Sequence, residues 1–205
     1  MEIEIMSPVG SYESLAAAIQ AGAGSVYFGV GKMNMRSRSA ANFGFDDLRN
    51  ITDICRQHNV KSYLTVNTIV YNHELEEVRQ LLDLAKECQV SAIIASDFAV
   101  LNYCRQIGLE IHISTQCNIT NIEAVRFFSQ FADVMVLGRE VPLVQMAEIT
   151  KQIEEENIRG PKGELVRIEV FVHGALCMAV SGKCYISLDN LGPKSRRMSV
   201  FHEPS

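Results

Sequence analysis

Short apolar runs separated by longer amphipathic stretches make up most of the chain. The apolar runs have the length of buried strands, and the stretches between them repeat apolar residues at the spacing of helices that bury one face. The pattern predicts seven strands, at residues 2–6, 25–28, 61–66, 92–95, 110–114, 134–137 and 167–172. It predicts helices between them, at residues 11–21, 45–58, 73–89, 98–107, 121–131 and 142–156. This alternation is typical of βα units around a parallel sheet.

Several predicted helices carry start and stop signals. Ser11 directly precedes an apolar run, Asn72 is placed to cap the third helix, and Pro142 stands where a first helical turn tolerates proline. Gly22 follows the first helix and Gly108 follows the fourth, in positions where glycine commonly ends a helix.

The number of strands decides between two parallel α/β architectures. A doubly wound sheet has roughly five to seven strands, whereas a complete TIM barrel needs eight and typically about 250 residues. The chain has 205 residues. We therefore expect an α/β fold with a parallel (β/α) TIM-barrel-like domain that is incomplete, with about seven βα units. The segment 157–164 (NIRGPKGE) is interpreted as an internal loop, because the strand pattern resumes after it.

Polar side chains cluster after the predicted strands. They are Asn67 after the third strand, Gln116 and Asn118 after the fifth, Arg139 and Glu140 after the sixth, His173 after the seventh, and Arg36 and Asn42 in the long loop after the second. The carboxyl ends of barrel strands share one face. We therefore expect one functional mouth, at which Glu169, His173, Asn67, Gln116 and Arg139 converge.

Composition and charge narrow the class of protein. Hydrophobic residues are 47% and charged residues 21% of the chain, as in ordinary folded proteins. The net charge of −5, without a long basic tract, gives no evident field for non-specific binding of nucleic acid. No apolar run approaches the roughly 18 residues of a membrane span and the start lacks a signal-peptide pattern, so we expect a cytoplasmic protein with no membrane contact. The six cysteines then predict reduced thiols or ligands rather than disulfides.

One segment carries a more specific motif than the rest of the chain. In this segment, Glu169 and Phe171 are followed by GALC at 174–177 and GKCYIS at 182–187. It resembles the signature of peptidase family U32, the collagenase-like proteases, which has a Glu, a Phe two residues later, Gly-Ala/Ser-hydrophobe-Cys and Gly-x-Cys-x-hydrophobe-Ser. Blocks at 7–11, 21–29, 40–43, 64–68, 113–116 and 137–140 also match that family's sequences in order. The resemblance covers about residues 2–190.

The resemblance implies a TIM-barrel-like N-terminal portion and, for several members, a [4Fe–4S] cluster held by four cysteines. The resemblance also implies a function, because such members are similar in acting as oxygen-independent hydroxylation or RNA-modification factors. Their targets are tRNA bases, rRNA bases or the ubiquinone ring, and some of them take the oxygen from prephenate. The implied partner is therefore RNA or a small carboxylate such as prephenate. Proteolysis is the older family label, but the chain has no nucleophile-elbow pattern and no His-Glu-x-x-His.

Within the signature, Cys177 and Cys184 are the candidate metal ligands, because thiolates are the usual ligands of iron–sulfur clusters. Cys55, Cys88 and Cys104 fall on predicted helices, where a lone cysteine behaves as a small buried hydrophobe. Cys117 follows the fifth strand, where we expect it to line the pocket.

Glu169 and His173 are the candidate catalytic residues. They alternate with Phe171 along one strand, so the three side chains are expected to face the same side. An inward Glu–His pair can transfer protons or bind a carboxylate substrate, and the alternative is a buried polar pair satisfied by hydrogen bonds.

Four further residues are candidates for substrate binding. Arg139 and Glu140 form either an anion-binding arginine with its orienting carboxylate or a salt bridge at the barrel rim. Arg36 and Asn42 lie in a predicted loop, for which two alternatives stay open. The loop either contacts a phosphate or a carboxylate, or it is solvated.

The chain departs from the family after Ser187, because residues 188–205 contain no further cysteine. We therefore expect residues 1–190 to form the N-terminal barrel domain and residues 191–205 to be an atypical tail. Two signature cysteines cannot complete a four-thiolate cluster, so we expect the cluster to be incomplete or absent in this chain. A barrel without its last unit exposes two strand edges, which predicts a homodimer, a partner subunit or a C-terminal cover.

Three functions stay open from the sequence. The first is a protein whose parent is an iron–sulfur-dependent hydroxylation or RNA-modification factor acting on tRNA, rRNA or an aromatic small molecule. The second is a collagenase-like protease. The third is a non-catalytic truncated domain or partner subunit.

Overall fold

The computed structural model describes residues 3–34 and 43–174, in which strands and helices alternate. The strands are β1 (Met6–Pro8), β2 (Ser25–Phe28), β3 (Lys61–Val66), β4 (Ala92–Ala95), β5 (Ile111–Ile113), β6 (Val134–Val136) and β7 (Arg167–Glu169). The α-helices are α1 (Tyr12–Gln20), α2 (Asp47–Gln57), α3 (Leu75–Glu87), α4 (Phe98–Ile107), α5 (Ile122–Phe128) and α6 (Leu143–Glu155). Among these described helices, none has both the length and the apolar character needed to cross a membrane.

All seven described strands run parallel in one sheet, in the order in which they occur in the chain. The sheet is curled, because side chains of non-neighbouring strands meet on its inner face. Met6 of β1 packs against a cluster that contains Tyr63 of β3 and Ile94 of β4. The His112 ring of β5 lies 4.6 Å from the Tyr63 ring, across β4. Since β1 and β7 are the edges of this curled sheet, the predicted incomplete TIM-barrel-like fold is confirmed.

The two faces of the sheet have different neighbours, because successive side chains of a strand point to opposite faces. Leu64, Ile93 and Ile113 point outward, are fully buried and belong to the large core between sheet and helices. Tyr63 and Ile94 point inward and form a second, smaller apolar cluster in the lumen. The outer face therefore holds the helices on the sheet, while the lumen has room for polar side chains.

Element boundaries agree with the predictions in the centre of the sheet and differ at its edges. The bounds of β2, β3, β4 and α4 are those predicted. The first strand was predicted at 2–6, but it starts at Met6, opposite Ser25 of β2, and the apolar Ile3 and Ile5 are exposed. The last strand ends at Glu169 rather than at residue 172. An edge strand has a partner on one side only, so its apolar pattern predicts its first and last residues less accurately.

The helix signals were mostly correct. Ser11 caps α1 by accepting a hydrogen bond from the Ser14 backbone N–H, and Gly108 ends α4 with a φ of 73°. Asn72 does not cap the third helix, because it begins a short 3₁₀ turn (Asn72–Glu74) and Glu74 is the residue that precedes α3. Pro142 lies one position ahead of the first helical residue, with an extended backbone.

The segment 157–164 is a tight turn that leads from α6 into β7, as the internal-loop interpretation requires. Arg159 and Leu165 pair in an antiparallel bridge across it. The Lys162 backbone N–H donates to the buried Asp133 carboxylate over 3.1 Å. The turn is thereby fixed to the amino-terminal end of the lumen, where the Lys162 side chain pairs with Glu110.

Candidate active site

A cavity of about 440 Å³ opens at the carboxyl ends of the parallel strands. Its wall combines apolar side chains of the strands with polar groups from the loops that follow them. The polar and aromatic residues on which its chemistry depends are Asn67, Ser114, Gln116, Arg139, Glu169 and Phe171. Because these residues come from four different strand ends, the sheet topology itself brings them together.

Four of the five residues expected to converge do line this cavity: Asn67, Gln116, Arg139 and Glu169. His173, the fifth, is exposed and is not among the lining residues. The predicted alternation of Glu169, Phe171 and His173 does not extend that far, because β7 ends at Glu169. The candidate catalytic pair is therefore not brought together here, and Glu169 has a different histidine beside it.

The remaining predicted site residues lie elsewhere. Asn118 has a left-handed backbone (φ 51°), and its side-chain oxygen lies next to Gly138 rather than in the cavity wall. Glu140 is exposed and outside the wall. Arg36, Asn42, Cys177 and Cys184 fall outside the described residues, as does the predicted tail at 191–205. Their roles stay predictions.

A hydrogen-bonded unit forms one polar side of the cavity. Ser114 Oγ accepts from Asn67 Nδ2 at 3.2 Å and from the Gln116 backbone N–H at 3.3 Å. The Asn67 backbone carbonyl accepts in turn from Ser96 Oγ at 3.1 Å. These bonds link the loops after β3, β4 and β5, so the amides of Asn67 and Gln116 are held on a rigid base.

Thr65 supplies a further polar atom to the wall. Its Oγ1 is buried and has no hydrogen-bond partner among the described residues. A buried hydroxyl without a partner costs stability, so it is normally paired with protein, water or ligand. The atom is therefore available to a ligand that fills the cavity.

The cavity rim carries an aromatic ring and a guanidinium in contact. Arg139 follows β6 and lies over the Phe171 ring, with its Cζ 4.4 Å from the ring centroid. Both side chains are exposed at the opening. Such a pair offers a flat stacking surface beside a positive charge, which suits a planar ligand that bears an anionic group.

Gly29 shapes the opposite wall by its lack of a side chain. A Cβ at this position would lie 2.2 Å from Cγ of Asn34, a buried residue that also lines the cavity. We expect Gly29→Ala to displace Asn34 and to lower the free energy of unfolding by about 1–3 kcal/mol. Urea unfolding measures the change. Gly44→Ala is the matched control, because its Cβ would meet Asp47 at an ordinary 3.5 Å, and equal losses for both variants would contradict the packing argument.

Beside Glu169, and outside the residues that line the cavity, lies a charged group that the predictions from sequence did not include. His112, in the middle of β5, is buried, with only 4% of its side chain exposed. Its Nε2 lies 3.7 Å from Glu110 Oε1, and its Nδ1 lies 3.7 Å from Glu169 Oε2. The signal was present, because a strand over 110–114 places Glu110, His112 and Ser114 on one face.

The two carboxylates change the pKa of His112 more than burial does. Burial alone lowers the pKa of a histidine, but the adjacent Glu110 and Glu169 raise the pKa of His112 above its ordinary value of 6.5. Burial likewise acts to raise the pKa of Glu110, yet His112 and Lys162 lower it to about 2. Each shift therefore favours the charged form of its own group.

These opposite shifts predict how stability depends on pH. Glu110 has a folded pKa of about 2, below its ordinary 4.5, so its contribution is present above pH 4.5 and is lost as the pH falls towards 2. His112 has a raised pKa, so its contribution is present below pH 6.5 and is lost as the pH rises through its folded pKa. We expect the free energy of unfolding, measured in urea from pH about 3 to about 8, to peak between these limits. Glu110→Gln should flatten the acid side, and an unchanged acid slope in that variant would contradict the assignment.

The described cysteines do not fit an iron–sulfur site. Cys55, Cys88 and Cys104 are buried between helices and sheet, as predicted. Cys117 was expected to line the pocket, but it packs against the core and points its thiol at the Ser96 carbonyl, 3.8 Å away. Burial raises the pKa of Cys55 to about 11 and that of Cys104 and Cys117 to about 12, which opposes the thiolate that a cluster requires. No group of three or more metal-binding side chains occurs in the described part of the chain.

Sequence comparison relates the chain to proteins of several named activities. A collagenase of Porphyromonas gingivalis is 57% identical over 196 residues, which are 96% of this chain and 47% of that protein. The tRNA hydroxylation protein P1 of Bacillus subtilis is 29% identical over 90% of this chain and 42% of its own length. A 23S rRNA 5-hydroxycytidine synthase of Escherichia coli is 31% identical over 95% of this chain and 28% of its own length. The chain spans less than half the length of these curated relatives.

Solved structures support the fold. The structure of a U32 peptidase superimposes with a TM-score of 0.59 at 11% identity, covering 85% of this chain and 94% of that one. Tryptophan synthase subunit alpha from Legionella pneumophila superimposes with a TM-score of 0.52 at 17% identity, covering 83% and 73% of the two chains. The sequence profile of Peptidase family U32 matches residues 10–197. The match covers most of the chain and the signature segment with it, so the protein belongs to peptidase family U32.

Proposed function

We propose that this chain is the barrel portion of a U32 hydroxylation enzyme that acts on a base of tRNA or rRNA, or on a comparable aromatic ring. The observation that carries the proposal is the cavity of about 440 Å³ with an amide pair, a carboxylate and an arginine–aromatic rim. The relatives named as tRNA hydroxylation protein and 5-hydroxycytidine synthase support the substrate class.

The size of the cavity favours a single planar ring as ligand. Small-molecule sites typically have about 300–1,000 Å³, and the volume here lies at the lower end of that range. An RNA strand cannot enter such a space, so RNA binds here with one base turned out of its stack. This mode also suits a chain with a net charge of −5, because the pocket recognises one base and does not depend on a broad basic surface.

Each described side chain has a role in this scheme. The Asn67 and Gln116 amides donate to and accept from the edge of the ring, and Glu169 accepts from a ring N–H. Phe171 stacks on the ring, and Arg139 binds a phosphate or the carboxylate of a donor such as prephenate. Hydroxylation replaces C–H by C–OH and oxidises the ring by two electrons. The proposed donor is therefore a small hydroxylated carboxylate such as prephenate, whose C–O bond breaks as its hydroxyl oxygen passes to the ring, and whose carbon takes the two electrons and the hydrogen.

The [4Fe–4S] cluster belongs to the same proposal. Cys177 and Cys184 are the proposed ligands among the residues of this sequence, and a bound cluster would supply electron transfer. Within the described residues, β1 and β7 each pair on one side only, which supports assembly as a homodimer or with a partner subunit. A cytoplasmic location is part of the same proposal, because tRNA and rRNA are its proposed substrates.

Proteolysis is the second candidate, because a relative 57% identical is named collagenase. The described cavity gives it little chemical support. Its most buried hydroxyl nucleophile, Ser114, accepts from an amide and a backbone N–H rather than donating to a base. We expect purified protein to leave gelatin and casein intact, and cleavage that survives repurification and is lost in Glu169→Ala would favour the protease instead.

The test is hydroxylation in cells. The gene is expressed in a bacterial strain that lacks its own U32 hydroxylation proteins, and tRNA and rRNA are digested to nucleosides and analysed by mass spectrometry. We expect a hydroxylated nucleoside that is absent from cells carrying the empty vector. Identical nucleoside profiles with and without the protein would refute the proposal.

A further inference from the structure

The contacts of His112 set its protonation state. Each of its ring nitrogens faces a carboxylate oxygen at 3.7 Å, Glu110 on one side and Glu169 on the other. A neutral imidazole has one nitrogen with a lone pair and no hydrogen, and that nitrogen would then face a carboxylate across the gap. An imidazolium presents an N–H to both, so the geometry favours the charged ring.

Both contacts are longer than a hydrogen bond, and the contact at Nδ1 leaves a buried nitrogen without a hydrogen-bond partner within the described residues. Its distance of 3.7 Å to Glu169 is an ion-pair distance, longer than a hydrogen bond. Glu169 is the member of the trio that lines the cavity, so the unsatisfied N–H points at the group that meets the ligand.

Glu110 faces the other ring nitrogen, Nε2, and does not line the cavity. Lys162 pairs with Glu110, and Arg167 lies 3.7 Å from it. These cations keep Glu110 ionised, and Glu110 in turn faces the imidazolium. Because Glu110 does not line the cavity, its effect on Glu169 passes through His112.

We propose that His112 is a positioning residue, which as an imidazolium holds the Glu169 carboxylate in place in the cavity wall so that this carboxylate accepts a hydrogen bond from an N–H or O–H of the ligand ring. When His112 loses its proton, the ring loses its positive charge and one of its nitrogens presents a lone pair to a carboxylate, so the attraction that holds Glu169 in place is lost. Ligand chemistry that depends on Glu169 is therefore lost as the pH rises through the titration of His112.

The charged and titratable groups around this imidazole come from each element packed on it. They are Glu110 before β5, Glu169 and Arg167 on β7, Tyr63 on β3 and Lys162 in the turn before β7. The Tyr63 hydroxyl donates to Glu4, and burial together with Glu4 raises its pKa, so Tyr63 stays neutral. Of these groups, His112 is the one whose ordinary pKa lies near neutrality.

The first test is a histidine titration followed by NMR. Two short unstructured peptides, each with one histidine, are the references. We expect the His112 ring signals to titrate at higher pH than those of the references, and to move to lower pH in Glu169→Gln and in Glu110→Gln. Glu148→Gln, on the exposed face of α6, should leave them unchanged. Titration together with the references, or no shift in Glu169→Gln, would overturn the proposal even if Glu110→Gln failed to fold.

The second test rests on the proposed function and uses the pH profile of hydroxylation by purified protein. We expect activity to fall on the alkaline side, and Glu110→Gln to move this fall to lower pH although Glu110 does not touch the ligand. A fall at the same pH in both proteins contradicts the positioning role. If no variant hydroxylates RNA, the proposed function fails, and the NMR titration alone decides the role of His112.

Discussion

Replacing Glu169 by glutamine is expected to lower the yield of hydroxylated nucleoside by about 10- to 100-fold, because a hydrogen bond to a charged acceptor contributes about 1.5–3 kcal/mol. Glu169 supplies the carboxylate of the cavity wall. His112 Nδ1 lies 3.7 Å from its Oε2 atom. Glutamine keeps the size of the side chain and removes its charge. Nucleoside mass spectrometry of cells that express each variant measures the effect.

The matched control for this change is Glu148→Gln. Glu148 is an exposed carboxylate on α6, outside the cavity wall, and its replacement should leave the yield unchanged. The melting temperature of Glu169→Gln should stay within a few degrees of the unmodified protein. A large loss of stability with little loss of activity would assign Glu169 to a structural ion pair.

Replacing Leu64 by alanine is expected to lower the free energy of unfolding by about 3 kcal/mol, because it opens a cavity in a packed core. Leu64 is on the outer face of β3, has no exposed surface and belongs to the core between sheet and helices. Urea unfolding measures the loss. Ile69→Ala is the control, since Ile69 is 57% exposed and its truncation should cost no more than about 0.5 kcal/mol. Equal losses in both variants would mean that the outer face does not carry the stability.

The parallel sheet could be predicted because its central strands are buried on both faces. The run at β4 is apolar on both faces, and β3 has the apolar Leu64 and Val66 on its helix side, so the bounds of both strands could be predicted from the apolar pattern. The edges were less predictable. Ile3 and Ile5 look like strand residues, yet they are exposed, and β1 starts at Met6, the first residue in register with β2.

The candidate site was predictable to the extent that topology determines it. Asn67, Gln116 and Arg139 reach one cavity because each follows a parallel strand. His173 was placed there by extending the alternation of β7 beyond its last ladder hydrogen bonds, and the structure leaves that side chain exposed. Contacts between distant strands could not be inferred, because the approach of His112 to Glu169 depends on how tightly the sheet curls across β6.

The most direct test of the central claim, that this cavity receives the RNA base, is site-specific photocrosslinking in cells. A benzophenone-bearing phenylalanine replaces Phe171, in the cavity wall and 42% exposed, or Phe127, on α5 and 48% exposed. After irradiation, the protein is purified under denaturing conditions and the attached RNA is sequenced. We predict tRNA or rRNA attached through position 171 and none through position 127. Equal attachment at both positions, or none at position 171 in cells that contain the hydroxylated nucleoside, would contradict the account.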